Sequence, residues 1–187
     1  MAVLASDDFN RANANPIGSP WVGSTNNIQI VSNQVTGTNA GTNNSAYYGG
    51  VTFEVDGYVQ ARLKSVSSSF GGVTFRHSTS AATYYSAHFQ PGTSTTYITT
   101  WIAGGATDIT TSTGITWAIN DVMRLEVEGT TLTLFKNGSQ VLQGTNGDIT
   151  AVGQAGLHIY SNASDIAFDD FEAGTLTLPS RPMFRGS

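Results

Sequence analysis

The chain has 187 residues and a formal net charge of −5, with eight Lys and Arg against 13 Asp and Glu and no cysteine. That length suits one domain, or one domain with a tail, and it buries a core without disulfide or thiolate–metal staples. So few basic residues exclude the basic patch of a nucleic-acid binder, and a charged fraction of 11% excludes a coiled coil.

The opening MAVLASDDFN has no basic n-region and no long apolar run, so no secretory signal is expected. No segment approaches 18 consecutive apolar residues. From there the chain alternates with period two, and its apolar stretches are β-branched or aromatic. Strands are expected at 27–31, 51–55, 57–66, 70–76, 82–90 and 95–103. The stretch 91–116 is rich in Thr, Ser and Gly, but Tyr97, Ile98, Trp101 and Ile102 mark it as folded. A short helical turn is expected near 117–121. Beyond it the alternation is clearest, with Met123, Leu125 and Val127 on one face and Arg124, Glu126 and Glu128 on the other. Thr131–Phe135 forms the next strand. Asn137-Gly138 accepts positive φ at both turn positions and predicts a type I′ hairpin returning through Val141-Leu142. The last strands are expected at 154–160 and 165–172. Within the latter, Asp169-Asp170 interrupts the alternation of Ile166, Phe168 and Phe171, so a bulge is needed to return Phe171 to the core. Residues 175–187 (TLTLPSRPMFRGS) lose the pattern and read as an extended C-terminal arm. Short strands separated by Gly, Asn, Ser and Asp clusters, without a helix of ten residues, predict an all-β sandwich or barrel.

Three segments together resemble the concanavalin A-like lectin/glucanase superfamily, which includes laminin-G-like domains. They are Asp7-Asp8-Phe9-Asn10-Arg11 followed by Gly18-Ser19-Pro20-Trp21, the hairpin RLEVEGTTLTLFKNGSQVL at 124–142, and the closing IAFDDFEAG at 166–174. The resemblance implies an antiparallel jelly-roll β-sandwich over residues 1–174, with a closing strand that pairs near the first. The same opening, with the closing SRPMFRGS, is similar to virion proteins of tailed bacteriophages. That resemblance implies a virion-surface setting, an oligomer or larger assembly, and other virion proteins as partners. The arm would be the docking element, with Met183 and Phe184 as apolar anchors and Arg181, Pro182 and Arg185 beside them.

Glycan hydrolysis by the family's retaining enzymes needs Glu-x-Asp-x-x-Glu. Here Glu54-Val55-Asp56 begins the pattern, but Val59 stands where the second Glu is required and Gln60 follows. Glu54 then reads as a surface residue beside an Asp56-Gly57 turn. No Ser lies in Gly-x-Ser-x-Gly. His77, His88 and His158 each fall on an expected strand and read as structural, with His77 and His88 able to pair across a hairpin. The resemblance brings Asp7-Asp8 and Asp169-Asp170 together, where they would hold one structural calcium ion. The competing reading has these acids cap strand ends or meet Arg11. Tyr48, Tyr84, Tyr97 and Trp101 are candidates for stacking on sugar rings, against a competing core role; Trp21 and Trp117 read as core. The expected function is a non-enzymatic virion component without a cofactor, a capsid decoration or tail-associated protein. The alternatives are a glycan-binding module for a surface polysaccharide and, behind it, a glycoside hydrolase or lyase. No nucleic-acid or membrane partner is expected.

Overall fold

Most stretches where β-branched and aromatic residues alternate with polar ones are strands. A computed structural model describes residues 1–161 and 165–176, with the backbone alone at 40–42. Its strands are β1 (Ala2–Asp7), β2 (Trp21–Gly23), β3 (Ile28–Val31), β4 (Gln34–Gly37) and β5 (Asn39–Tyr48). They continue with β6 (Gly57–Val66), β7 (Phe70–His77), β8 (Tyr84–Gln90), β9 (Thr95–Ile102) and β10 (Gly105–Thr113). The last are β11 (Val122–Glu128), β12 (Thr131–Lys136), β13 (Ser139–Thr145), β14 (Gln154–Ser161) and β15 (Ile166–Thr175). Two sheets result, every pairing antiparallel. The first runs β13-β12-β11-β6-β15-β4-β3, with β1 on β15; the second runs β10-β9-β8-β7-β14-β5-β2.

The sheets stack through one hydrophobic core. Val59, Ala61 and Leu63 of β6, Met123, Leu125 and Val127 of β11, and Phe168 and Phe171 of β15 face Val73 and Phe75 of β7 and Tyr85, Ala87 and Phe89 of β8. Each buried aliphatic or aromatic side chain contributes roughly 1.5–3 kcal/mol. A one-residue slip of β11 would turn all three of its apolar side chains to water, which sets the register. Trp21 and Trp117 are core residues, Trp117 packing against Phe89 at 5.7 Å.

The expected hairpin is present: Asn137 and Gly138 have φ of 51° and 80°, and β12 pairs with β13. So is the bulge. The β15–β6 register shifts between Asp169 and Glu172, Asp170 sits at φ 48°, and Phe171 is buried. The first and last strands pair, Ser6 opposite Glu172 and Asp7 opposite Phe171.

Two expectations differ. Val51–Val55 is not a strand; it carries the chain from the second sheet to the first, with Phe53 buried in the core, edge-on to Phe75 at 6.1 Å, and Val51 packed against that core. One buried side chain satisfies that alternation without a partner strand. The segment 117–121 holds a turn rather than a helical one, closed by Asp121 N–H donating to the Ala118 carbonyl and Ala118 N–H donating to the Asp121 carboxylate. Strand β15 runs to Thr175, three residues past its expected end at 172 and one residue into the expected arm. The arm residues Arg181, Pro182, Met183, Phe184 and Arg185 lie outside the described residues.

Candidate functional site

Every strand of the second sheet has two faces, and the core uses only one. Alternation puts Val73, Phe75, Tyr85, Ala87 and Leu157 inside and Thr74, Tyr84, Ser86, His88 and His158 on the opposite side. On β9 the opposite side carries Tyr97, Thr99 and Trp101. Cross-strand register then sets rings beside one another. Tyr84 lies opposite Trp101 and His88 opposite Tyr97. The first pair stacks at 5.6 Å and 23°, the second at 4.9 Å and 12°. Phe70 stacks on Tyr160 at 4.5 Å and 5°.

His158 lies at the centre of these rings. Its imidazole is 4.9 Å from Trp101, 5.5 Å from Phe70, 5.6 Å from His88 and 5.9 Å from Tyr84. β14 and β9 are three strand spacings apart, roughly 14 Å on a flat sheet. Their rings meet only if the sheet bows and the rings lean inward, so this outer face is concave. Gly72, opposite both His158 and His88, leaves the floor open for them.

Position 77 joins this face through a bulge. The β14–β7 register shifts between Gln154 and Gly156, and Arg76 sits at φ 51°. The shift re-aims His77 outward, where it stacks on Tyr84 at 4.6 Å and meets Tyr47 at 4.9 Å. His77 and His88 do not pair across the hairpin, because His88 stands opposite Gly72.

The polar atoms on this face define the tautomers. Trp101 Nε1–H donates to Ser86 Oγ at 3.0 Å, and Ser86 Oγ lies 3.1 Å from His88 Nδ1. Ser86 is fully buried, and His88 is the one acceptor for its proton among the described residues. With Nδ1 accepting from Ser86, His88 carries its own proton on Nε2. His77 donates from Nδ1 to the Ser78 carbonyl at 2.8 Å and accepts at Nε2 from Ser45 at 3.0 Å. Neither ring nitrogen of His158 has a partner among the described residues. Burial pushes the His77 and His88 imidazoles down to about 4. His158 falls well below its ordinary value through burial and then through His88 and His77. At neutral pH the face is uncharged at all three positions. Its rim is polar: Thr99 Oγ1 donates to Asp108 at 2.9 Å, and Asp108 on β10 is exposed.

Of the four sugar-stacking candidates, Tyr84, Tyr97 and Trp101 come together here and Tyr48 does not. Tyr48 turns to the other side, 6.1 Å from Phe171 and 5.8 Å from Trp21, and Tyr47 takes the concave face. Tyr84 and Trp101 are covered by their neighbours at 2% and 7% exposure, whereas Tyr97, Phe70 and Tyr160 are half-buried and present the accessible ring surface. Phe70 and Tyr160 were missed from sequence, and His158 was read only as a structural strand residue. The available signal was Gly156, His158 and Tyr160 on one face of β14, opposite apolar Leu157 and Ile159.

The acid pairs meet cations. Asp7 accepts from Arg11 at 2.6 and 3.0 Å and from Trp21 Nε1 at 2.7 Å. Asp170 pairs with Arg62 at 2.7 Å and Asp169 with Lys64 at 3.6 Å. Asp8 accepts from the Asn10 N–H. Among the described residues no three His, Asp or Glu side chains are grouped to hold a metal. Glu54 is exposed, Asp56 accepts from Gly129 N–H, and Val59 is core.

No protein-family model matches the chain, and no curated protein does. Solved structures do. A Bacillus subtilis protein of unknown function with a galectin-like fold superposes with a TM-score of 0.68 at 11% identity, over 94% of this chain and 96% of its own. CBM66, a carbohydrate-binding module from Bacillus subtilis, superposes with a TM-score of 0.65 at 15% identity, over 92% and 97%. The fold is a galectin-like jelly-roll sandwich. A prokaryotic β-1,3-1,4-glucanase (lichenase) derived from a mouse hindgut metagenome shares the jelly roll, with a TM-score of 0.55 at 9% identity, over 92% and 99%. This jelly roll thus serves binding modules and glycosidases alike, and the site must decide between them.

Proposed function

We propose that this protein is a non-catalytic glycan-binding module whose contact surface is the concave face of the second sheet. The observation that carries this reading is the paving of that face. Tyr97, Phe70 and Tyr160 present ring surface to solvent, and the buried Trp101–Ser86–His88 chain and the His158 cluster hold the supporting side chains in place. A sugar ring lays its C–H face on such a ring while the exposed Asp108 carboxylate, held by Thr99, receives its hydroxyls. The neighbours described as a carbohydrate-binding module and as galectin-like support the same reading. The non-catalytic part rests on the missing second Glu at Val59 and on Asp7, Asp169 and Asp170 being engaged with Arg11, Lys64 and Arg62. Titration calorimetry on hits from a glycan array tests it. Tyr97→Ala should weaken binding at least tenfold, about 1.4 kcal/mol, with the unfolding midpoint unchanged. An array without hits, or equal affinity of the variant, overturns it.

The finer setting, display on a phage particle, rests on the resemblance of the opening segment and of the closing SRPMFRGS, the latter outside the described residues. The opening residues also have a folding role, since Asp7 ties Arg11 and Trp21 to β1. Co-sedimentation of the purified protein with phage particles is its test, and failure to co-sediment removes the setting without touching the glycan reading.

A further inference from the structure

At one end of the concave face, where β7 ends and β8 and β14 begin, lies a cleft of about 460 Å³. That is within the range of roughly 300–1,000 Å³ for small-molecule sites. Three segments frame it: the turn 78–83, the loop 148–153, and Thr52-Phe53. Arg76 ties its surroundings together from below. Its guanidinium donates to the carbonyls of Val55 at 2.9 Å, Ile149 at 2.6 Å and Gly129 at 2.7 Å, and approaches Asp56 at 3.4 Å. Gly153 closes the packing, because a Cβ there would lie 2.3 Å from the Arg76 carbonyl carbon. The walls are therefore held before any ligand arrives, which lowers the ordering cost of binding.

The lining chemistry selects a class of ligand. Phe53 and Ile149 supply an apolar floor. Thr52, Thr79, Thr83 and Thr150 supply hydroxyls. The side-chain oxygen of Gln154 is buried and has no hydrogen-bond partner among the described residues. Such an orphan acceptor is destabilising until a donor reaches it. Arg76 is committed to backbone carbonyls, and His77 is neutral. The remaining charge is the Asp148 carboxylate on the rim, which disfavours phosphates, sulfates and carboxylates. What fits is a neutral ring with an apolar face and several hydroxyls. The cleft borders the aromatic cluster at His77, which lines it and stacks on Tyr84.

We propose that this cleft is a second subsite that receives the terminal unit of a neutral glycan, with the following units lying on the concave face. The inference rests on the glycan-binding reading and adds to it end recognition and selection against anionic sugars.

The test is an amide-proton and nitrogen NMR titration of the full chain with the methyl glycosides of glucose, galactose, mannose and fructose, and with glucuronic acid. At least one neutral glycoside should shift Thr83, Gly153 and Gln154 in a saturable way, and glucuronic acid should not. Gln154→Leu and, separately, Thr83→Val should weaken that binding at least fivefold. The wild-type map stands even if a variant fails to fold. Three outcomes overturn the inference. Shifts confined to Tyr97, Thr99 and their neighbours leave the glycan reading in place and exclude the cleft. Binding of glucuronic acid at the cleft with equal affinity removes the neutral class. Absence of binding by these sugars and by every array glycan ends both readings.

Discussion

Arg76 shows how one side chain can organise an end of the sandwich. It sits at φ 51°, its side chain is 2% exposed, and it donates to three carbonyls from separate segments. Removing it leaves the buried Ile149 carbonyl unpaired, which costs about 1–3 kcal/mol, releases the part-buried Val55 and Gly129 carbonyls, and leaves a void where the guanidinium lay. Arg76→Leu should therefore lower stability by roughly 3–5 kcal/mol, read as a drop in the urea midpoint at constant slope. Arg76→Lys should recover only a minor part, because an ammonium lacks the planar fork that reaches several carbonyls at once. An unchanged midpoint in Arg76→Leu would mean that water replaces the guanidinium at no cost. Gly153 belongs to the same unit. Gly153→Ala should also destabilise, because the new Cβ meets backbone rather than a side chain that can turn away. Tyr97 is the contrasting residue: half-buried at the rim, it should lose affinity on truncation without losing stability.

At the scale of elements, β7, β8 and β14 carry a cluster of three neutral histidines, and pH dependence follows from it. In the unfolded chain an imidazole titrates near 6.5. In the fold burial holds His77 and His88 near 4 and His158 well below its ordinary value. The unfolded chain thus binds more protons below pH 6.5, so acid favours unfolding. The contribution of these residues is intact above about pH 6.5. It falls by up to about 1.4 kcal/mol per pH unit for each histidine as pH drops toward 4. Thermal unfolding should show a plateau above pH 7 and a steep decline from pH 6 to 4. A profile flat down to pH 4.5 would falsify the buried-neutral assignment. His158→Leu sharpens the test. No hydrogen bond to a described residue is lost, so stability at pH 7 should stay within about 1.5 kcal/mol, while the acid decline becomes shallower.

The whole molecule is closed by the pairing of its first and last strands. β1 lies along β15, and Asp7 at its end accepts from Arg11 and from the Trp21 indole. Trp21 in turn packs on Phe171 at 4.8 Å. One carboxylate therefore couples the chain's opening to its closing strand. Deleting residues 1–8 should uncover half of β15 and unpair the Trp21 indole. The expected loss is several kcal/mol, which lowers the melting temperature by about 10 °C or more for a chain of this size. Differential scanning calorimetry reads it, and an unchanged melting temperature would show β1 to be dispensable. The two faces of the second sheet give the molecule its division of labour, since one side joins the core and the other gathers rings around His158.

Much of the fold was legible locally. The period-two alternation of Met123, Leu125 and Val127, the Asn137-Gly138 turn and the bulge at Asp169-Asp170 depend on neighbours within a few residues, so the sequence alone determines them. Trp21 and Trp117 were legible as core for the same reason. Alternation cannot say which side faces inward when both are aromatic. For Tyr47-Tyr48 and Tyr84-Tyr85 that choice was made by the opposing sheet. Val51–Val55 alternates like a strand, yet tertiary placement gave it one buried Phe and no partner. The concave cluster was the least legible part. His77, His88 and His158 come from three strands spread over 81 residues of chain, and only strand order, the Arg76 bulge and the bowing of the sheet bring their rings together. Local chemistry thus determined the strands and turns. Long-range packing decided which of their faces meet, and with that where a ligand can lie.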